Sequence, residues 1–208
     1  MKIFLLGASG MIGSRILAEA VARGHQVVAG ARDPGRIAAA KGVTAVAVDA
    51  NDAEVVAAQA AGADVIVSAL SPRSTGDAMT EAATVATALM AAAKASGKRL
   101  VMVGGAGSLN LPDGSPVLPH VPEIYRAEAA ALRAVRDRLA ASTLDWTFFS
   151  PAGVIAPGER TGVFRVGDSV LLSDAAGESR ISAEDYAVAM VNELETPAHR
   201  RGMMTIAY

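Results

Sequence analysis

Gly7-Ala8-Ser9-Gly10-Met11-Ile12-Gly13 sets glycines at intervals of three, directly after an apolar run and directly before a helical pattern. A turn of this kind can cradle a phosphate. Gly7 permits a tight turn, Gly10 lets backbone come close to a pyrophosphate, and Gly13 allows a helix to pack closely on a strand. The amides at the N-terminus of the next helix would then face the phosphate oxygens, with the positive end of the helix dipole behind them. The spacing is GxxGxxG, whereas the usual dinucleotide fingerprint is GxGxxG, and the lack of a following Gly-Lys-Ser/Thr excludes a Walker-type loop. A glycine-rich turn that binds nothing is the competing reading. The strand before and the helix after favour dinucleotide binding.

About twenty residues on, where a dinucleotide site reads its ribose, the chain runs Ala29-Gly30-Ala31-Arg32-Asp33. An acidic residue at this strand tip would hold the 2′-hydroxyl of NAD, and an arginine would accommodate the 2′-phosphate of NADP. Arg32 comes first, Asp33 has the position of a cap before Pro34, and Arg36 could add a second cation. NADP(H) is therefore the preferred cofactor, with NAD(H) possible. Arg32 as a solvated turn residue is the alternative. Asp49 could reach an adenine amino group or serve only as a turn aspartate.

These turns need strands and helices to position them. Lys2–Leu6, Gln26–Ala29, Thr44–Val48, Asp64–Ser68, Arg99–Val103 and Asp145–Phe149 read as strands. Met11–Arg23, Pro34–Lys41, Asp52–Ala60, Gly76–Ala95, Pro122–Ala141 and Ala183–Leu194 read as helices. The strands lack polar alternation, as expected when helices cover both faces of a sheet. The alternation predicts an α/β fold: a Rossmann-type doubly wound parallel sheet with helices on both faces. Gly24 fits a helix C-terminus, Asp33-Pro34 a helix start, and Ser182-Ala183-Glu184-Asp185 a capping box. After Phe149, frequent Gly and Pro break the chain into short pieces, and Val163–Val166 could pair with Val170–Leu172 across Gly167-Asp168-Ser169 as a hairpin. Residues 150–180 read as a short substrate-side extension within one domain spanning residues 1–208.

The composition fits that picture. The 208 residues are 51% hydrophobic and 19% charged, enough to bury a core without staples. Lys+Arg 19 against Asp+Glu 21 gives a net charge of −2, which lacks the basic excess of a nucleic-acid binder. Cysteine is absent, which excludes disulfides, thiolate metal sites and cysteine nucleophiles. The longest apolar stretch, Ala82 to Ala93, is interrupted by Thr84 and Thr87 and is too short to span a bilayer. The apolar start Met1–Leu6 stops at Gly7 and reads as a buried strand, not a signal segment. A cytoplasmic protein fits best. No pair of histidines has metal-ligand spacing, and His25 and His199 fall in expected turns, where they would be solvated. The small-residue face around Ala82, Ala86 and Ala93 permits close helix packing within a monomer or across a homodimer.

Gly7-Ala8-Ser9-Gly10, Gly24-His25-Gln26-Val27, Arg32-Asp33-Pro34 and Gly104-Gly105-Ala106-Gly107-Ser108 resemble atypical short-chain dehydrogenases with an NAD(P)H-binding domain. Leu144-Asp145-Trp146-Thr147-Phe148-Phe149-Ser150-Pro151, Pro157-Gly158-Glu159-Arg160-Thr161-Gly162 and Gly177-Glu178-Ser179-Arg180-Ile181-Ser182 resemble the bacterial NADH-flavin reductase-like branch, which is similar to biliverdin-IXβ reductase/flavin reductase. The resemblance spans nearly the whole chain. It implies that Gly7, Ser9, Gly10, Met11 and Ile12, with Gly13 behind them, form the pyrophosphate loop, and that Arg32 meets the 2′-phosphate. It also implies that Ser68, Ala69 and Leu70 pass the ribose and that Gly104 and Gly105 lie beside the nicotinamide. Ser150, Pro151, Ala152 and Gly153 would hold the carboxamide. The branch name speaks of NADH, whereas Arg32 speaks for NADPH; the local charge is the better guide.

Ordinary short-chain dehydrogenases use Tyr-x-x-x-Lys, in which lysine lowers the tyrosine pKa for proton transfer. Here Tyr125 is followed four residues on by Ala129, Tyr186 by Met190, and Tyr208 ends the chain, so the dyad is absent. Ser108, Tyr125 and His120 remain as candidate catalytic or substrate-contacting residues. Each has a plain alternative, as a loop serine, a helix-start aromatic and an ordinary histidine. Without the dyad, an unactivated ketone is a poor substrate. A flavin, bound as substrate, or a quinone accepts hydride on an electron-poor ring and needs mainly proximity to the nicotinamide. The expected function is NAD(P)H-dependent hydride transfer to such an acceptor. The rivals are a non-catalytic NADP(H)-binding redox sensor and a nucleotide-sugar epimerase or dehydratase. The expected partner is a small-molecule substrate, with no nucleic acid, membrane or metal.

Overall fold

The computed structural model describes residues 1–208. Six strands, β1 (Lys2–Leu6), β2 (Gln26–Ala31), β3 (Val43–Ala47), β4 (Val65–Ser68), β5 (Arg99–Val103) and β6 (Trp146–Ser150), run parallel in the order β3-β2-β1-β4-β5-β6. This is the doubly wound order, with its reversal between β1 and β4. The sheet continues through β10 (Gly202–Ala207), parallel to β6, and ends on the short antiparallel strand β8 (Arg165–Gly167).

Helices α1 (Met11–Ala22) and α5 (Ala183–Glu195) cover one face, over Ile3, Leu5, Val65, Val67 and Phe149. Helices α2 (Ala53–Ala61), α3 (Ala78–Ser96) and α4 (Glu123–Ala140) cover the other, over Phe4, Leu6, Ile66, Leu100 and Phe148. Alternate residues of one strand thus enter opposite cores, which is why the strand sequences are apolar throughout. On α5, the buried Tyr186 stacks on Phe149 with ring centroids 4.1 Å apart and donates its hydroxyl to the Phe149 carbonyl at 2.6 Å. Ala82, Ala86 and Ala93 are buried within the chain, so the small-residue face is used for internal packing.

Several expectations are corrected. The helix expected over Pro34–Lys41 is a single 3₁₀ turn, Pro34–Arg36. Asp33 caps it by accepting from the Gly35 amide at 3.0 Å, and Ile37 then adopts an extended conformation and enters the α1/α5 core. The hairpin expected between Val163–Val166 and Val170–Leu172 does not form. Instead β8 takes the open edge of β10, Leu172 packs over Gly167, and Val170 bridges to Asn110. A strand added to the edge of an existing sheet outcompetes an isolated two-stranded hairpin, even with a ladder of three pairs. His25 and His199 are not solvated: their side chains are only 11% and 16% exposed, and they pair with Glu195 and Glu193. β10, which lies between β6 and β8, was not expected at all.

The extension after β6 contains β7 (Val154–Ala156), parallel to β9 (Arg180–Ser182). Between them a strap is pinned onto α1 and α5. Gly158 N donates to Glu184 at 2.7 Å, Thr161 Oγ1 and Gly162 N donate to Asp185 at 2.5 and 2.7 Å, and Arg160 forks onto Glu19 at 2.8 and 2.9 Å. Ser182 accepts from the Asp185 amide at 3.0 Å, as a cap should, but the Asp185 carboxylate serves the strap instead of closing the capping box.

Arg160 beside Glu19, with Arg23 one helical turn away, holds the Glu19 carboxyl down at about 2 against an ordinary 4.5. A depressed folded value stabilises the protein above the unfolded value, and that contribution is lost as pH falls from about 4.5 towards about 2. Urea midpoints measured across that window should therefore fall less steeply for Glu19→Gln than for the parent chain. Parallel slopes would show that Glu19 is not coupled to folding.

Candidate functional site

Leu6 ends β1 and the chain turns at Gly7, whose φ of +80° favours glycine. A Cβ at Gly7 would also lie 2.7 Å from the Ala69 carbonyl oxygen, and one at Gly13 would lie 2.1 Å from the Gly7 carbonyl oxygen. Helix α1 thus sits directly on the turn that precedes it. Gly10 is its N-cap and offers no side-chain acceptor, and the first turn carries no acidic residue. The amides of Met11, Ile12 and Gly13 have neither a backbone nor a side-chain acceptor. Unsatisfied amides with the helix dipole behind them form an anion site.

This turn opens into a cleft of about 750 Å³ across the C-terminal ends of β1–β4, where ligands bind in doubly wound sheets. Of the residues expected to hold cofactor, Gly7, Ser9, Gly10, Arg32, Asp49, Ser68 and Leu70 line it. Arg32 and Arg36 stand exposed at the β2 end with no carboxylate partner, while Asp33 is occupied with its cap. Asp49 is both a wall of the cleft and a turn aspartate, accepting from the Asn51 backbone and side chain at 3.0 and 2.9 Å. The Ser68 hydroxyl is buried without a protein partner. A hollow of about 530 Å³ around Lys2, His25 and Lys41 lies at the other end of the strands, away from the glycine turn.

Other expected residues lie outside the cleft wall. Met11, Ile12 and Gly13 form the first turn of α1 directly after the wall residue Gly10, and Ala69 packs against Gly7. Gly104 and Gly105 lie against Phe148 and Leu132; a Cβ on Gly104 would come within 2.3 Å of the Phe148 ring, so close packing alone accounts for glycine there. Pro151 and Ala152 are buried, and Gly153 donates its amide to Ser179 Oγ at 2.9 Å. None of residues 150–180 lines the cleft.

The three catalytic candidates sit on neighbouring elements, the 3₁₀ turns Ala106–Ser108 and Leu118–His120 and the start of α4, and none of them lines the cleft. Ser108 is fully buried with its hydroxyl unpartnered, Tyr125 is 52% exposed on the first turn of α4, and His120 ends an exposed 3₁₀ turn. Nor does the cleft contain another tyrosine: the Tyr186 hydroxyl is committed to Phe149 and that of Tyr208 to Asp185 at 2.8 Å. The structure contains no cluster of three or more His, Asp or Glu residues that could hold a metal, and no helix is long and apolar enough to cross a membrane.

The segment from Ser71 to Asp77, together with Thr80 and Glu81, forms the far lip and was not anticipated as part of the site. Its composition, Ser-Pro-Arg-Ser-Thr-Gly-Asp, marks a loop, and Asp77 caps α3 by accepting from Thr80 N at 3.1 Å. That pattern predicts a helix start but not which side of the loop faces a ligand.

Residues 7–197 match the family model described as NAD(P)H-binding. The chain belongs to the NAD(P)H-binding family. Similar solved structures include a Burkholderia pseudomallei protein described as exported, which is 47% identical with a TM-score of 0.90 over the whole of both chains. A Bacteroides thetaiotaomicron protein provisionally assigned as an epimerase is 38% identical with a TM-score of 0.93, covering 100% of this chain and 96% of its own. A Streptococcus pneumoniae protein provisionally assigned as an NADH-flavin reductase is 28% identical with a TM-score of 0.86, covering 100% and 99%. Membership of the NAD(P)H-binding family and the Rossmann-type fold agree with the expectation from the glycine turn. The neighbours divide between reductase and epimerase assignments.

Gly10→Val would place a branched side chain at the mouth of the anion site, where even a Cβ lies 3.3 Å from the Gly7 carbonyl oxygen. The variant should keep its circular dichroism spectrum and lose NADPH binding. Normal NADPH titration by a folded variant would show that the dinucleotide lies elsewhere.

Proposed function

We propose that this protein is an NADPH-dependent reductase that delivers hydride to a flat, electron-poor acceptor, a free flavin or a related quinone. The observation that carries the reading is the pairing of an unsatisfied helix N-terminus with unpaired Arg32 and Arg36 in one cleft that offers no tyrosine–lysine dyad. The bound nicotinamide would supply the hydride. The amides of Met11, Ile12 and Gly13 would hold the pyrophosphate, Arg32 and Arg36 the 2′-phosphate, and Ser68 and Leu70 the ribose side of the cleft.

Reduction of a flavin or quinone suits such a site. The acceptor ring takes the charge and the protons can come from water, so the protein's main task is to orient two flat groups. The epimerase assignment of the Bacteroides protein favours a second reading. Epimerases of the short-chain type rely on the tyrosine that this cleft lacks, which counts against it. A redox-sensing role without catalysis would show as NADPH binding without NADPH oxidation against any acceptor. We place the protein in the cytoplasm, where NADPH is regenerated, acting on small molecules and not on nucleic acid or membranes.

NADPH oxidation measured against a panel of flavins, quinones and simple aldehydes tests the proposal directly. Turnover with flavins or quinones is expected, and turnover confined to aldehydes would overturn it. Arg32→Ala should weaken NADPH by about tenfold to a hundredfold, the loss of one charge-assisted contact, and leave NADH nearly unchanged. An equal loss for both cofactors would show that Arg32 does not read the 2′-phosphate.

Ser108→Ala and Tyr125→Phe should each lower kcat by less than about tenfold, compared with the 10²–10⁴ typical of a deleted general acid or base. Stopped-flow flavin reduction by NADPH is the measurement. A fall of several hundredfold in either variant would reveal a protein proton donor and favour a carbonyl or tetrapyrrole substrate.

A further inference from the structure

The loop from Ser71 to Asp77 forms one lip of the cleft, contributing Ser71, Pro72, Ser74, Thr75 and Asp77 to its wall. Apart from Pro72 its residues are exposed, so apolar packing does little to hold it in place. Hydrogen bonds to one carboxylate do so instead. Glu81, on the first turns of α3, accepts from Ser74 N at 2.8 Å and Ser74 Oγ at 2.5 Å, and from Thr75 N at 3.1 Å and Thr75 Oγ1 at 3.3 Å. Gly76, with φ at +83° and no atom within 4 Å of where its Cβ would be, provides the turn between this latch and the helix. The other tether, Arg73 to Glu128 on α4, uses an arginine side chain that is 65% exposed, and exposed ion pairs contribute little.

Burial pushes the Glu81 carboxyl up, and the donors from Ser74 and Thr75 outweigh it and bring it below the usual carboxylate range. The carboxylate is therefore ionised, and its bonds to the loop are charge-assisted. A negative charge in the wall of a cleft meant for an anionic dinucleotide is unfavourable on electrostatic grounds alone. Its place there is explained by what it holds.

We propose that Glu81 is a positioning residue for the dinucleotide, a latch that fixes the Ser71–Asp77 loop as the far lip of the cleft and so governs how fast the cofactor leaves. The inference rests on the cofactor reading above and adds to it a residue that acts through the loop. Because the latch grips the loop backbone and not the 2′-phosphate, it acts alike on NADPH and NADH. Arg32 in contrast distinguishes the two.

Dissociation of NADPH, followed by fluorescence in a stopped-flow chase with excess NADP⁺, tests the latch. Glu81→Gln keeps the size of the side chain, removes its charge and replaces an acceptor with a donor. The off-rate should rise by about tenfold, with NADH affected to the same degree. Simple charge repulsion predicts the reverse, since removing a carboxylate from the wall would slow the loss of an anion. A Ser74→Ala, Thr75→Val double variant, confined to the exposed loop, removes two of the four donors and leaves the backbone amides in place. It should therefore raise the off-rate severalfold but less than Glu81→Gln, and should add less than twofold when combined with it. Should Glu81→Gln fail to fold, the loop variant carries the test alone. Off-rates within twofold of the parent, or effects that multiply on combination, would overturn the latch while leaving the cofactor reading intact. Failure of the parent protein itself to bind NADPH would overturn both.

Discussion

The structure depends on a contact that no side chain larger than hydrogen could make. Gly13 lies so close to the Gly7 carbonyl that a Cβ would stand 2.1 Å from its oxygen. With that contact, α1 starts immediately above the end of β1, and its free amides face across the sheet's C-terminal edge. Moving the helix outward by the width of a methyl group would lift those amides from the cleft and also open a gap above Ile3 and Leu5, on which α1 packs. The anion site and the α1/α5 core are thus fixed by the same backbone approach. Substitution at Gly13 should disturb both together, whereas a Cβ at Gly10 meets the Gly7 carbonyl oxygen only at 3.3 Å and demands a much smaller shift.

Charge is distributed unevenly between the two ends of the sheet. At the N-terminal ends of β5 and β6, Arg99 and Glu193 form a buried ion pair; Arg99 also donates to Thr147 Oγ1, and Glu193 accepts from the backbone amides of Ala198 and His199 and from the His199 ring. A buried pair seldom adds net stability over an apolar replacement, yet breaking one partner is costly. Its role here is to hold the turn into β10, whose only other strand neighbour is the three-residue β8. At the cleft end, Arg32 and Arg36 have no carboxylate partner. Glu19, Glu184 and Asp185 are all engaged with Arg15, Arg23 or the strap on the α1/α5 side. The acidic groups in the cleft wall are also engaged: Asp33 with Gly35, Asp49 with Asn51, Asp77 with Thr80 and Glu81 with Ser74 and Thr75.

The strands of the parallel sheet and the glycine turn were legible because each depends on a local signal: an apolar run between turn residues, or a glycine needed for backbone clearance. Pro34–Lys41 misled because its helical composition is overruled by one buried side chain, Ile37, which gains more in the core than the turn gains by continuing. β8 and β10 were missed because their pairing joins residues about forty positions apart, and Met203-Met204 carry little strand propensity. His25 and His199 looked solvated because their partners, Glu195 and Glu193, lie far away or beyond a break in the helix pattern. At the candidate site, backbone geometry brings the glycine turn and the ends of β2 and β4 into one cleft, a neighbourhood readable from the strand and turn signals. Ser108, Tyr125 and His120 were candidates for their residue types, and sequence alone did not show that the first is buried while the other two are exposed on neighbouring elements.

That division bears on the chemistry. The features of the cleft built with close tolerances are those a dinucleotide would use under the proposed reading: the carbonyl contact under Gly13, the bare N-terminus of α1, the unpaired arginines and the hydrogen-bonded Ser71–Asp77 loop. No tyrosine lines the cleft: the hydroxyls of Tyr186 and Tyr208 are bonded to Phe149 and Asp185, and Tyr125 lies outside its wall. A site of this kind would select its reductant by charge and shape, and its acceptor chiefly by flatness and redox readiness. Discrimination among acceptors is strong when buried polar groups must be matched, and weak when only apolar contact is offered. Under the proposed reading, hydride acceptors that need no help from the protein are the ones such an arrangement would serve, a condition that flavins and quinones meet and ketones and sugars do not.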